Sequence, residues 1–591
     1  METILSHLER SSDIYELIPG YPKPPLIPLP ELGDMSSLAR VGLKSSALAH
    51  SLSRLGLRIS GFLKFQKTLP ERLELLLRRC DLRGGYLFAP VVSATLALED
   101  DARQLPPLDR ATTLLIAAGQ LYQDIVSARL EPDRYRGNTL EMGQYPNLFS
   151  TCLIIDGKRP RILKSANHSH IVVLIHGQQH ALELGDPTSW RPASIKRALE
   201  EIVERAAPSQ STEPPGILTG ADHPTQMRIF RQLQRIELNR RSLKLLQHSF
   251  LILCLDLDDK PSSYAEAARI GHGGNFANRW YHASLQIIVF GNARACITCN
   301  FSTYVDGNTM MRAASEIKRR AARVEINDGW SEGNAPSAKK LYWSIAPRFI
   351  QQAQYDLNRI VDHQPATFEI AGCGRSYFSA RGLDGVPIFM VALQLTTKKF
   401  TGKMVEMRQF LTLSRYRCMG LTDAVVTTPE VIQLVTYLDQ ATFDPKRAGQ
   451  LLEAAIASQV SACRQARSHL SLDSLIGLYL VSSSTWKRRY IQFVLILVMA
   501  LLRLFGLFRP AFQREVIVSH PEIYPEVPVV GRPGIRLPYV KYFGLHYQMM
   551  ADRIIMTMMP SVKWSIPNAD FIAELKKNLQ LMQQIIEGRS E

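Results

Sequence analysis

The sequence predicts a mixed α/β protein built as two lobes, and three observations lead there. The chain has 591 residues, 46% of them hydrophobic and 21% charged. A single core stops growing near ~250–300 residues, so two large lobes are expected. Short apolar runs, several of them β-branched and bounded by Gly, Asn, Asp and Lys, read as strands. Longer stretches between them repeat apolar residues at three and four, the spacing of one helix face. The same composition is too apolar for a disordered chain and too evenly mixed for a fibrous or repeat scaffold.

The elements follow in order. Pro19 to Pro30 carries prolines at short intervals, and their fixed φ and missing amide donors exclude helix and sheet interior. Residues 40–130 read mostly as helices, through Leu73, Leu76 and Leu77 and then Leu114, Leu115, Ala118, Leu121 and Tyr122. Strands are expected at 169–175, 249–255, 284–290 and 293–301, with a Ser/Pro/Gly-rich connection at 206–220. In the second half, helices near 340–360 and 429–470 alternate with expected strands at 388–396, 405–413, 514–518 and 553–559. An amphipathic helix from Asn568 to Glu587 closes the chain. The division is therefore 1–350 for an N-terminal lobe and 351–591 for a C-terminal lobe.

Charge and compartment come next. The 70 Lys+Arg against 54 Asp+Glu leave a net +16, which suits a nucleic acid, an anionic membrane or small polyanions such as coenzyme phosphates. No nucleic-acid fold or aromatic-interleaved basic motif is present, so nucleic acid is not an expected partner. Eight scattered cysteines are too few for a disulfide scaffold of this size. Cys296 and Cys299 form a lone C-x-x-C in an apolar run, read as core packing and not as a metal site. No secretory pattern or peroxisomal address is seen, and the expected location is cytoplasmic. One segment adds a membrane surface to the expected partners: Lys487, Arg488 and Arg489 precede the apolar run Tyr490 to Phe508, within a hydrophobic helix at 486–510. Its basic flanks and apolar body suit an interfacial helix, a buried core helix or, at the limit of length, a span.

The chemistry rests on Cys299-Asn-Phe-Ser-Thr-Tyr-Val-Asp-Gly307, which follows an apolar strand and precedes a helical pattern. It resembles the active-site strand of the carnitine/choline O-acyltransferases, which share the chloramphenicol-acetyltransferase-like fold. In that family a His stands four residues before an Asp or Glu followed by a small residue. Further segments continue the resemblance in the family's order over about residues 20–590. They are the proline-rich Pro24 to Leu32, Asn138 to Phe149, His170 to Gln178, Asn278-Arg-Trp-Tyr-His-Ala-Ser-Leu-Gln286, Ala392 to Leu395 and Gly420 to Asp423. The resemblance implies two lobes, each with a mixed sheet flanked by helices, and a tunnel admitting coenzyme A from one side and an acyl acceptor from the other. No cofactor is then bound permanently. An acyl-coenzyme A or acyl carrier protein thioester serves as co-substrate.

The departures carry as much information as the matches. Asp306 and Gly307 keep the second half of the motif, but Ser302 occupies the position of the family's His. An alcohol attacking a thioester must lose its proton, and an imidazole is suited to take it. Of the coenzyme-phosphate residues, Arg375 keeps the first positive charge, Ser379 replaces the second, and Arg381 follows two residues later. On the acceptor side the family's Tyr falls near Gln409 and its Arg near Ser468 beside Arg467. Only Thr422 is retained, so carnitine is not the expected acceptor. The family's late Ser-Thr-Ser aligns with Val518-Ser519-His520, which makes His520 a candidate relocated base and Ser519 a candidate acceptor contact. Asp306 has a plainer reading, preservation of a strand-to-helix turn. Two functions follow: acyl transfer from a thioester to an unidentified non-carnitine acceptor, or an inactive homologue serving as an acyl-thioester-binding or membrane-associated scaffold.

Overall fold

A computed structural model describes residues 18–28, 89–155, 160–166, 168–206, 214–326, 336–417, 419–440, 442–469, 514–521, 523 and 528–588. The expected helices before residue 89 and the 486–510 segment, with Tyr490 to Phe508, lie outside these residues. Among the described residues no helix is long and apolar enough to cross a membrane.

Two mixed sheets flanked by helices make the architecture. The first contains β1 (Ser93–Leu98), β2 (His170–Ile175), β3 (Gln178–Glu183), β4 (Ile252–Asp256), β5 (Leu285–Phe290), β6 (Ala295–Asn300) and β7 (Ala338–Lys340). The second contains β8 (Thr367–Ala371), β9 (Met407–Thr412), β10 (Leu421–Val425), β11 (Arg514–Ser519), β13 (Val540–Met549) and β14 (Arg553–Pro560). The eighth strand of the first sheet, β12 (Val529–Gly531), comes from the second half of the chain yet pairs antiparallel with β1 at Thr95 to Ala97. The first sheet thus runs β7-β3-β2-β4-β5-β6-β1-β12, and the second runs β8-β14-β13-β11-β9-β10. In the first, β2, β4 and β5 are mutually parallel; in the second, β9, β11 and β13 are.

The helices that position the site are α1 (Pro107–Val126), α2 (Gly307–Ala321), α3 (Pro347–Asn358), α4 (Gly385–Thr401), α5 (Pro429–Leu438), α6 (Pro445–Ala466) and α7 (Asn568–Glu587). Each of α1, α3, α5 and α6 opens with Pro in its first turn, where the missing amide costs nothing. Four expected strands of the first half appear at β2, β4, β5 and β6.

The expected strand at 388–396 is instead the middle of α4. Ile388 to Leu393 are all buried, because α4 is packed by α6 and α7. A helix buried all round shows no amphipathic period, so its apolar run reads like a buried strand. Asp384 caps its start by accepting from the Val386 amide, and Gly402, at φ +69°, ends it in the left-handed region. Seven of these strands were not expected: β1, which falls within the stretch read as helical, and β3, β7, β8, β10, β12 and β13.

The core around the first sheet holds a buried ion pair. Arg279 and Asp256, both fully buried, form an ion pair at 2.6 Å, and Arg279 also donates to the carbonyls of Gly271 and Asn278. Cys296 and Cys299 sit in β6 and belong to cores on different faces of the sheet. A three-residue spacing in a strand sends side chains to opposite faces, so the pair cannot chelate one ion.

Candidate active site

The family-like motif folds as a tight succession of turn and cap. After β6, Asn300 accepts a hydrogen bond from the Ser302 amide at 2.9 Å, and Phe301–Thr303 form one 3-10 turn. Tyr304 then adopts φ +60°, an uncommon conformation for an aromatic residue, and this reverses the chain into α2. Asp306 caps α2 by accepting from the amides of Asn308 and Thr309, each at 3.0 Å. Its second oxygen accepts from Gln144 Nε2 at 3.1 Å and from the Ser414 hydroxyl at 3.4 Å. The Asp306 amide in turn donates to Gln144 Oε1. Both carboxylate oxygens are therefore engaged, and Asp306 ties α2 to the 142–145 turn and to the loop after β9.

Neither Ser302 nor Asp306 lines the main cavity. That cavity, about 830 Å³, lies between the 135–140 segment and the second sheet. Its floor is the carboxyl ends of the parallel strands: Gln409 and Thr412 of β9, His520 just beyond β11, and Met549 closing β13. Such ends are where open α/β sheets place ligands. The wall from α6 supplies Gln459, Cys463 and Arg464, followed by Arg467.

His520 stacks on Tyr547, with ring centroids 5.4 Å apart and planes 11° from parallel. Among the described residues its Nδ1 has no hydrogen-bond partner. Enclosure by protein, then the charges of Arg467 and Arg136, lower its pKa to about 4. The imidazole is thus neutral at physiological pH, in the form able to accept a proton.

The cavity is cationic. Among the described residues, Arg136, Arg375, Arg415, Arg464 and Arg467 line it against one acid, Asp384. One oxygen of the Asp384 carboxylate accepts from the Val386 amide at 3.0 Å. Arg375 is anchored by donating to the Met549 carbonyl at 3.0 Å. Arg415 donates to the Tyr416 hydroxyl and to the Arg467 carbonyl, both at 2.6 Å.

The other expected site residues lie elsewhere. Arg381 stacks over Tyr377 at 3.9 Å and pairs with Glu587, away from the cavity lining. Thr422 sits on the edge strand β10 opposite Leu411. Ser519 shares a 3.0 Å hydrogen bond with His546 Nδ1, its neighbour across β13. Burial, then His520 and Arg532, lowers the His546 pKa to about 3. Of the candidates, the structure brings His520 and Arg375 to one cavity. Arg136 and Arg415 went unrecognised in the sequence, since each stands in an ordinary basic loop and only folding sets it opposite His520.

Comparisons with known proteins bear on this cavity. The family described as Choline/Carnitine o-acyltransferase matches residues 83–563. Pig (Sus scrofa) choline O-acetyltransferase is 23% identical over 366 residues, 58% of this chain and 57% of that one. Mouse (Mus musculus) carnitine O-acetyltransferase is 26% identical over 310 residues, 49% of each chain. The chain thus spans about half the length of the relatives it matches. Among solved structures, the starter condensation domain of rhizomide synthetase RzmA aligns with 87% of this chain and 93% of its own, at 9% identity and a TM-score of 0.38.

Proposed function

The chain belongs to the choline/carnitine O-acyltransferase family, and from that premise we propose that it transfers an acyl group from a coenzyme A or carrier-protein thioester to a non-carnitine acceptor, with His520 as general base. In this reading residues 1–350 form one lobe, 351–591 the other, and the cavity is the substrate cleft. The observation that carries the proposal is the neutral imidazole of His520 inside that cleft, beside cations suited to a thioester's phosphates.

The step balances simply. The acceptor's heteroatom attacks the thioester carbonyl and gives its proton to His520. A new bond to the acyl carbon forms, the carbon–sulfur bond breaks, and the departing thiolate takes the proton back from the imidazolium. An imidazole of pKa about 4 is a weak base, and bound phosphates near Arg467 and Arg136 would cancel their field and strengthen it. Arg375 would hold coenzyme phosphate, a role that a bidentate guanidinium serves well. Asp306, with both carboxylate oxygens hydrogen-bonded, caps α2.

The test is thiol release from acyl-coenzyme A over a panel of alcohols and amines. His520→Ala is expected to lower the rate by about 10²–10⁴-fold, the range of general-base catalysis. Arg375→Ala is expected to weaken coenzyme A binding in calorimetric titration. An unchanged rate in His520→Ala refutes the base assignment. Saturable thioester binding without any release favours the second reading, an acyl-thioester-binding homologue without catalysis, for which the loss of the motif's His is the specific argument.

A further inference from the structure

We infer that Gln459 positions the arm of the thioester: its side-chain oxygen accepts from an amide N–H of the pantetheine chain that coenzyme A and carrier proteins share. The inference deepens the acyl-transfer reading above and rests on it.

Gln459 is a polar side chain on the core face of a helix. Ala448, Leu452, Ala455 and Gln459 recur at the spacing of one face of α6, and all are buried, Gln459 to 2% exposure. Gln459 lines the cleft together with Pro387 of α4, and its Nε2 donates to the Pro387 carbonyl at 3.2 Å. A carbonyl cannot donate, so this bond settles which end of the amide is nitrogen and leaves Oε1 for another partner. Among the described residues Oε1 has none. An acceptor buried without a donor is costly, and native structures complete such groups. A ligand in the cleft that brings an N–H completes this one.

The order of residues along the cleft identifies the ligand group. Arg375 stands at one end, its amide donating to the Met550 carbonyl at 2.7 Å and its guanidinium to the Met549 carbonyl at 3.0 Å. Gly385, which opens α4, lies so close to Met549 that a Cβ there would fall 2.6 Å from the sulfur. Two residues further along α4 is Pro387, which holds Gln459. Two further again is Phe389, stacked on Tyr547 with ring centroids 4.1 Å apart, and Tyr547 in turn stacks on His520. Along β13, Met549 and Tyr547 are separated by about 7 Å. Gln459 therefore stands between the residue assigned to coenzyme phosphate and the residue assigned as base. In a coenzyme A thioester the group between the phosphates and the sulfur is the pantetheine arm, whose amides supply N–H donors. A carrier protein presents its thioester on the same arm, so one contact serves both.

Calorimetric titrations of the full-length protein use coenzyme A, adenosine 3′,5′-bisphosphate, pantetheine, and a pantetheine analogue in which esters replace the amides. Wild-type protein is expected to bind pantetheine about three- to tenfold more tightly than the ester analogue, the worth of one hydrogen bond. Gln459→Met keeps the length of the side chain without its acceptor and should bind both equally, so that protein and ligand changes together isolate this contact. Adenosine 3′,5′-bisphosphate, which has no arm, should bind wild type and variant alike. Equal binding of pantetheine and its ester analogue to wild type overturns the inference, whether or not the variant folds. So does a preference that survives in Gln459→Met, or a variant that loses adenosine 3′,5′-bisphosphate as strongly as pantetheine. Where coenzyme A binds and its thioester releases thiol, any of these results leaves the acyl-transfer reading standing and removes the arm assignment alone. Absence of both coenzyme A binding and thiol release overturns that reading and this inference together.

Discussion

Acidification should unfold this protein well above the pH at which its carboxylates titrate. His180, His248, His272, His282 and His546 are each no more than 9% exposed. Burial lowers the pKa of His180 and His248 to about 4, and of His272, His282 and His546 to about 3. His272 illustrates why the neutral form is locked in. One ring nitrogen donates to the Pro90 carbonyl at 3.0 Å, and Nδ1 accepts from the Thr95 hydroxyl at 2.7 Å. An unfolded His takes its proton near pH 6.5. Because the folded values are depressed, the stability these residues contribute is complete above about pH 6.5 and is lost as the pH falls toward 4 and 3. At pH 5.5 the unfolded imidazole is about nine-tenths protonated and the folded one almost neutral, a difference of about 1.4 kcal/mol per residue. Five such residues together amount to about 7 kcal/mol, comparable with the ~5–15 kcal/mol that holds a typical domain folded. Urea midpoints followed by circular dichroism between pH 7.5 and 5 should therefore fall steeply, with an uptake of four to five protons, to order of magnitude, on unfolding near pH 5.5. His282→Gln, whose amide can still meet Gln226, should remove nearly one proton from that uptake. A midpoint that stays level down to pH 5 would refute the reasoning.

Further tests address single interactions. Asp306→Ala removes a helix cap and strands the Gln144 and Ser414 donors, and should destabilise by about 2–4 kcal/mol in chemical denaturation. Asp306→Asn should recover part of the loss through its remaining oxygen, whereas equal losses in both variants would contradict the cap. Arg279→Ala leaves Asp256 buried without its partner and should cost about 3–5 kcal/mol; a loss below 1 kcal/mol would show the pair to be dispensable. For Tyr490 to Phe508, flotation with anionic liposomes should recover the intact protein. A deletion that still folds should remain at the bottom of the gradient. Equal flotation of both proteins would dismiss the segment as the anchor.

Strands such as His170–Ile175 and Leu285–Phe290 were legible because a central strand buried on both faces is mostly apolar, and each has five apolar residues of six. The same rule misread Ile388 to Leu393, whose helix is buried just as fully. β1 reads Ser-Ala-Thr-Leu-Ala-Leu, and its alanines and leucines are good helix formers; tertiary pairing on both edges overrides that preference. In β13 the polar His546 and Gln548 interrupt the apolar run. The site was legible where one residue carried a local pattern, as at Arg375 and His520. It was not legible where Arg136 and Arg415, from separate loops, reach the same cavity, since nothing in the sequence around either records it.

The placement of Val529–Gly531 bears on how the chain is made. The outer edge of Ser93–Leu98 has no strand to accept until residue 531 has been synthesised, some 230 residues after Asn300 completes its other partner. At ~5–20 residues per second that interval is roughly 10–50 s. Throughout it the nascent first sheet presents the open edge of an apolar strand, a template for pairing with a neighbouring chain. The first half should therefore depend on chaperones during translation, and expressed alone it should aggregate unless the Val529–Gly531 strand is supplied.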